Sequence, residues 1–292
     1  MEIGIQTGNF QDFRDNIKNR NALLEKAYQQ IHAAGFDCAD LNVLCNTSVP
    51  YYTSSLSEAM TAAARERKIA EAAGVRIHQV HGPWPTDDKT VELRREKISH
   101  MERAIRLTSV FGARYLVLHP DMPYGWDNDP EPSLPRQTNT EMLQALLPVA
   151  EECQVILCLE NMPMKNLTLS RTAAMYDFVR KFDHPNLGMC LDTGHANVFE
   201  DDCGEMVRLI APVLKVVHVH DNLGDRDAHL APYQGTVNWD SFTSALRDIG
   251  FTGVFSLEAD LDVRDMNDAG HFDSARRMAE LARKLASQSV KV

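Results

Sequence analysis

The side chains best suited to chemistry recur at the ends of short apolar runs. His81 closes one in Val80-His81-Gly82-Pro83, His119 in Leu118-His119-Pro120, and Glu160 in Cys158-Leu159-Glu160-Asn161. Asp192 follows in Leu191-Asp192-Thr193-Gly194-His195, His218 and His220 in Val217-His218-Val219-His220-Asp221, and Glu258 in Ser256-Leu257-Glu258-Ala259. Carboxylates and imidazoles gathered into one pocket repel their like and lose hydration unless a cation joins them. A divalent metal answers both costs. The mixed oxygen and nitrogen donor set, without thiolates, suits Mn, Mg, Co or Zn. One such residue alone is structural about as often as not, but successive runs that all end in a ligand-type residue point to a site.

The elements that would position these residues follow a regular rhythm. Strands are expected at 3–8, 37–43, 75–82, 115–120, 155–161, 187–192, 215–221 and 253–259. Amphipathic helical patterns lie between them at 22–34, 56–73, 91–111, 139–152, 171–181, 203–214 and 241–249, and 272–286 closes the chain. Gly35, Gly74, Gly112 and Gly250 stand where helices should stop. Strict β–α alternation implies a parallel sheet covered by helices, and eight strands are enough to close it. The expected fold is α/β: a single (β/α)8 TIM barrel over residues 1–292, with an open doubly wound sheet as the rival. In a parallel barrel all strand C-termini share one face, so residues distant in sequence converge on one mouth. Side-chain alternation places Cys158, Cys190 and Ser256 beneath Glu160, Asp192 and Glu258. The segment 121–136 reads as a long irregular loop, acidic over 121–131. Trp84 and Trp126 are expected in loops at the mouth, where a lid and a stacking surface are equally good readings. His32, His78, His100 and His184 fall elsewhere and are taken as structural.

Composition narrows the partners. The chain has 292 residues, 44% of them hydrophobic, and a net charge of −11 from 41 acidic and 30 basic residues. That balance disfavours nucleic acid and favours a small polar ligand. No apolar run reaches the roughly 20 residues of a membrane span, and the N-terminus lacks the pattern of a signal peptide. The six cysteines form no CxxC pair, which suggests reduced core residues and a cytoplasmic protein. No Gly-rich phosphate loop or nucleophile elbow is present. The sequence is compatible with a homo-oligomer.

The chain resembles the xylose-isomerase-like barrel superfamily over nearly its whole length. That group includes sugar-phosphate isomerases and epimerases, ketose 3-epimerases, inosose dehydratases and the endonuclease IV family. The resemblance rests on Leu-Glu-Asn at 159–161, Asp-Thr-Gly-His at 192–195, His-Val-His-Asp-Asn at 218–222, Asp-Ala-His at 227–229 before Gly235, and Leu-Glu at 257–258. It implies one metal held by Glu160, Asp192, His218 and Glu258. His218 rather than His220 is implied because it stands three residues before the anchor Asp221. His195 and Arg226 match substrate-contacting positions. The three-metal endonuclease branch would add His81, His119, Asp227 and His229 as ligands, and this chain carries them all.

The resemblance therefore implies a divalent-metal-dependent isomerase or epimerase acting on a sugar, sugar phosphate or polyol ketone. Lewis-acid stabilisation of an enediolate, with Glu160 and Glu258 as the two bases, is the expected chemistry. His195 and Arg226 would hold substrate oxygens, and His81, His119, His220, Asp227 and His229 would bind substrate or a second metal. The alternatives are a dehydratase or lyase built on the same enediolate, an endonuclease IV-like phosphodiesterase acting on abasic DNA, and a catalytically idle sugar-binding barrel.

Overall fold

A computed structural model describes residues 1–10, 20–87, 89–262 and 269–290. Eight strands form a closed parallel barrel in chain order: β1 (Ile3–Gln6), β2 (Cys38–Leu41), β3 (Arg76–His81), β4 (Tyr115–Leu118), β5 (Ile156–Glu160), β6 (Leu187–Asp192), β7 (Leu214–Val219) and β8 (Phe255–Leu257). β8 closes on β1 through Ile3–Phe255, Gly4–Ser256 and Ile5–Leu257. Helices surround the barrel, beginning with α1 (Arg20–Ala34), the short α2 (Pro50–Thr53), α3 (Leu56–Ala72), α4 (Val91–Phe111) and α5 (Ser133–Cys153). They continue with α6 (Thr172–Val179), α7 (Thr193–Val198), α8 (Cys203–Ile210), α9 (Trp239–Ile249) and α10 (Ala269–Gln288). Among the described residues no helix is long and apolar enough to cross a membrane.

Local chemistry accounts for the boundaries. Ser55 and Glu58 form a reciprocal capping box at the start of α3, and Thr90 caps α4. Gly112 and Gly250 end α4 and α9 in the left-handed conformation, as their spacing predicts. Most strands are shorter than their apolar runs because pairing stops where the chain turns over the barrel rim. The expected loop at 121–136 gives way earlier, since α5 starts at Ser133 rather than 139. Pro135 lies in the first turn of that helix, where its missing N–H breaks no hydrogen bond.

Two packed layers follow from strand alternation. The larger core lies between barrel and helices and includes Ile3, Ile5, Val80, Leu116, Leu157, Leu159, Met189, Leu191, Val217 and Val219. A small cluster of Val117, Ile156, Cys158, Cys190 and Val216 fills the barrel itself. The cysteines among these residues are free and buried. Burial pushes the Cys158 and Cys190 thiols far above their ordinary range, so they serve as packing, as expected from sequence.

Two register shifts alter this alternation, one between β2 and β3 and one between β6 and β7. On β3, Ala39 pairs with Ile77 and Asp40 with Gln79, so His78 is the extra residue. His78 and Gln79 consequently both turn into the barrel. His78 lies toward the lower end beside Arg76 and Tyr115, and Gln79 reaches upward to His218. A bulge of this kind re-aims side chains that a strict two-residue period would send outward.

Candidate functional site

Each ligand-type residue is fixed by its own strand end. Glu160 and Asp192 are the last residues of β5 and β6, and His218 is next to last in β7. Asn161 joins two of these ends. It accepts from the Asp192 amide at 2.8 Å and donates to the Asp192 carbonyl at 3.0 Å, mimicking one more step of sheet. The Asp192 carboxylate caps α7 by accepting from the His195 amide at 2.7 Å, which places both side chains of Asp-Thr-Gly-His on the same rim. Asp221 faces the opposite way as an anchor. Its carboxylate accepts from the amides of Asn222, Tyr233 and Val237 and from the Trp239 indole, all at 2.9–3.1 Å. A Cβ at Gly235 would collide with Asp221 and Asn222, which accounts for glycine there.

Ligand atoms of Glu160, Asp192, His218 and Glu258 lie within 4.8 Å of one another. His218 Nδ1 is 2.8 Å from Glu160 Oε1 and also meets Glu258 Oε2. Three further groups have ligand atoms within the same limit: His81, Glu160 and His218; Asp192, His195 and His220; and His220, Asp227 and His229. His119 Nε2 lies 3.0 Å from Glu160 Oε2, and His81 Nε2 lies 3.4 Å from the same oxygen. Asp227 Oδ2 receives His195 Nε2 at 3.2 Å and His229 Nε2 at 3.1 Å. His220 Nε2 sits 2.9 Å from Asp192 Oδ1, and its ring stacks on His229 with centroids 4.3 Å apart. A Cβ at Gly194 would strike that ring. The structure therefore brings together every residue singled out in the sequence except Arg226. That side chain is exposed and makes no hydrogen bond or ion pair with any described residue. Trp84 stands edge-on to His119 at 4.2 Å and meets Trp126 at 4.9 Å, giving the mouth an aromatic wall.

The donor set fits a divalent cation. Oxygens Glu160 Oε2, Glu258 Oε2 and Asp227 Oδ1 are buried without a hydrogen bond of good geometry. A buried carboxylate oxygen left in that state is costly unless a cation meets it. In the metal-free protein, protons on histidine supply that charge. Burial would lower the titration of His218, but the Glu258 and Glu160 carboxylates outweigh it and hold the ring well above the ordinary range. Burial would raise Glu160, yet His218, His119 and His81 hold it well below the carboxylate range. Burial governs His119 and keeps it low. His81 goes the other way: against burial, the Glu160 carboxylate beside it raises it. His195 is pushed to about 10 by Asp192 and Asp227 against burial, and His229 to about 10 mainly by Asp227. Glu258, favoured by His218 over burial, falls to about 2.

These shifts set a pH dependence. The folded values of His195 and His229 exceed the ordinary 6.5, so their pairing with Asp227 stabilises the metal-free protein fully below that pH. It is lost as pH rises through about 10. Melts in chelator should therefore show Tm falling between about pH 7 and 10, and Asp227→Asn should flatten that fall. A metal-free Tm unchanged over this interval contradicts the assignment. Glu258 contributes in the opposite direction, its share being lost only as pH falls through about 2.

With the barrel and the mouth in view, comparison with known proteins gives the class. The family model described as xylose isomerase-like TIM barrel matches residues 28–288, and the chain belongs to that family. An uncharacterized protein of Methanocaldococcus jannaschii is 32% identical over 180 residues, 60% of this chain and 58% of that protein. A D-psicose 3-epimerase of Ruminiclostridium cellulolyticum is 32% identical over 123 residues, 42% of this chain and 40% of the epimerase. Both alignments span less than two thirds of the relative's own length. A D-psicose 3-epimerase crystallised in the presence of D-fructose superposes with TM-score 0.76 at 20% identity, covering 98% of this chain and 99% of that one.

Asp40 and Gln79 were not foreseen from the sequence. Asp40 lies within a buried run, Cys38-Ala39-Asp40-Leu41, that does not end in a ligand-type residue. Gln79 shares the inner face of β3 with His81 two residues on, and the bulge adds His78 to that face. A lone carboxylate in an apolar strand was the available signal for Asp40, and two-residue alternation beneath His81 was the signal for Gln79.

Proposed function

We propose that this protein is a divalent-metal-dependent isomerase or epimerase acting on a small ketose, sugar phosphate or cyclic polyol ketone. The observation that carries this reading is the convergence of Glu160, Asp192, His218 and Glu258 at the strand ends. These four residues would hold the metal. When bound, it supplies Lewis acidity toward adjacent carbonyl and hydroxyl oxygens. Glu160 and Glu258 reach His218 Nδ1 from β5 and from the residue after β8, so they flank one reacting centre. One would remove the carbon-bound proton to give the enediolate, and the other would return it from its own side. His195 donates through Nδ1 to the Asn161 carbonyl at 2.7 Å, which turns Nε2 onto Asp227, and the pair would hold a substrate oxygen. Arg226, free at the rim, would close onto a substrate oxygen on binding. Trp84 and Trp126 would exclude water from the enediolate. The sugar epimerases among its relatives support the substrate class.

The test is isotopic. Incubated in deuterium oxide with a panel of ketoses and polyol ketones, the metal-loaded protein should introduce deuterium at a carbon next to the carbonyl of at least one. Incision of abasic DNA at physiological salt, with no exchange on any sugar, would replace this reading.

A specific observation keeps the phosphodiesterase reading in view. His195 and His229 each direct Nδ1 to a backbone carbonyl, Asn161 and Glu258, and turn Nε2 onto Asp227, an arrangement suited to a further cation. The acidic surface and acidic 121–131 loop oppose a DNA substrate.

A further inference from the structure

Beneath the proposed metal ligands lies a second polar layer, enclosed by the barrel and assigned no role so far. Asp40 on β2 is 1% exposed and Gln79 on β3 is fully buried. His218 Nε2 is 3.2 Å from Asp40 Oδ2 and 2.7 Å from Gln79 Nε2, and the Gln79 amide donates to the same Asp40 oxygen at 2.6 Å. The opposite ring nitrogen, Nδ1, faces Glu160 and Glu258. One imidazole thus spans two layers, with one nitrogen in each. Asp40 has no lysine or arginine in ion-pair contact among the described residues, and its Oδ1 has no hydrogen bond there. A carboxylate buried this deeply is expensive as a purely structural element, because well-packed apolar side chains fill such space at lower cost. Gln79 adds a second observation: on the inner face of β3, two residues before His81, it is wedged between Asp40 and the ring.

We infer that Asp40, braced by Gln79, is a positioning residue that locks the His218 ring with Nδ1 presented to the metal. The inference rests on the metal-dependent reading above. Oriented this way, His218 can offer the Nδ1 lone pair only if its remaining proton resides on Nε2. Asp40 Oδ2 is the acceptor for it, and the Gln79 amide, a donor 2.7 Å from the same nitrogen, must then turn its hydrogens to Asp40 alone. The carboxylate fixes tautomer and ring plane together, and its negative charge makes the donor nitrogen more basic. Among the described residues the Asp40 carboxylate meets His218 and Gln79, so its effect on the mouth passes through His218.

The experiment compares wild type, Asp40→Asn and Gln79→Met by Mn2+ titration calorimetry and by melting of the metal-free proteins. Asp40→Asn should weaken Mn2+ binding about 10- to 100-fold, the usual cost of losing such an outer partner. Gln79→Met should weaken it less, and Asp40→Glu should recover part of the loss. Wild-type affinity in Asp40→Asn would overturn the inference. A fall in affinity that only tracks lost metal-free stability across the three variants would also overturn it. Nitrogen-15 NMR of the wild type loaded with diamagnetic Zn2+, with the His218 signal identified by its absence in His218→Gln, needs no Asp40 variant to fold. It should show Nε2 protonated and Nδ1 as the ligand, and the reverse assignment would overturn the inference. Failure of the parent reading looks different: wild type itself would take up no Mn2+.

Discussion

Glu160→Gln is expected to lower turnover by at least about 10³-fold while the protein still folds. Glutamine keeps the size of the side chain but removes its charge and basicity. Loss of a positioned general base alone costs about 10²–10⁴-fold. Glu160 is also the most connected acid in the site, meeting His218 at 2.8 Å, His119 at 3.0 Å and His81 at 3.4 Å. Its removal should therefore weaken metal retention as well. Glu258→Gln is expected to be comparably damaging to turnover. Because its side chain meets His218 without reaching His81 or His119, it should disturb fewer neighbours. The check is kcat together with solvent-deuterium exchange and bound metal per chain. If either variant keeps near-wild-type exchange on the true substrate, two-base transfer through these residues is wrong. If metal stays bound and exchange disappears, the glutamate acts chiefly as a base.

Chelation should abolish turnover completely, and one equivalent of Mn2+ per chain should restore it. The reasoning is electrostatic. Without the cation, the four carboxylates of Glu160, Asp192, Asp227 and Glu258 are balanced by protonated imidazoles, which cannot supply Lewis acidity. Metal must displace some of those protons, so loading should release protons and become tighter as pH rises. His119→Ala and His229→Ala separate the two readings of the outer histidines. If these side chains bind substrate hydroxyls, KM should rise several-fold with metal content unchanged. Loss of a stoichiometric ion from either variant, or restoration that requires about three equivalents, would make them ligands and favour the phosphodiesterase reading.

Much of the site could be read before any fold was drawn. His81, His119, Glu160, Asp192, His218, His220 and Glu258 each sit at or just beyond a strand end, and alternation placed Cys158 under Glu160 and Cys190 under Asp192. Side-chain type and a two-residue period suffice for that, because a parallel barrel sends every strand C-terminus to one face. The glycines at helix ends behaved similarly, since a left-handed stop is a local property of the chain. By contrast, α7 was not foreseen. It has only six residues and forms because Asp192 caps it, so its stability comes from a contact at the rim rather than from an apolar stripe.

The sequence by itself determined the barrel and the carboxylate and imidazole side chains that meet at its mouth, since these follow from periodicity and side-chain type. Only the tertiary structure decided how those groups pair. Closure of β1 to β8 brings Asp40, Gln79 and His218 within hydrogen-bonding distance although they lie 39 and 139 residues apart in sequence. A shift of one residue between β2 and β3 turns His78 inward below Gln79, where alternation from His81 would have sent it out to the helices. Pairing register is a collective property of neighbouring strands, settled by the packing of both faces at once, so no single strand's sequence contains it.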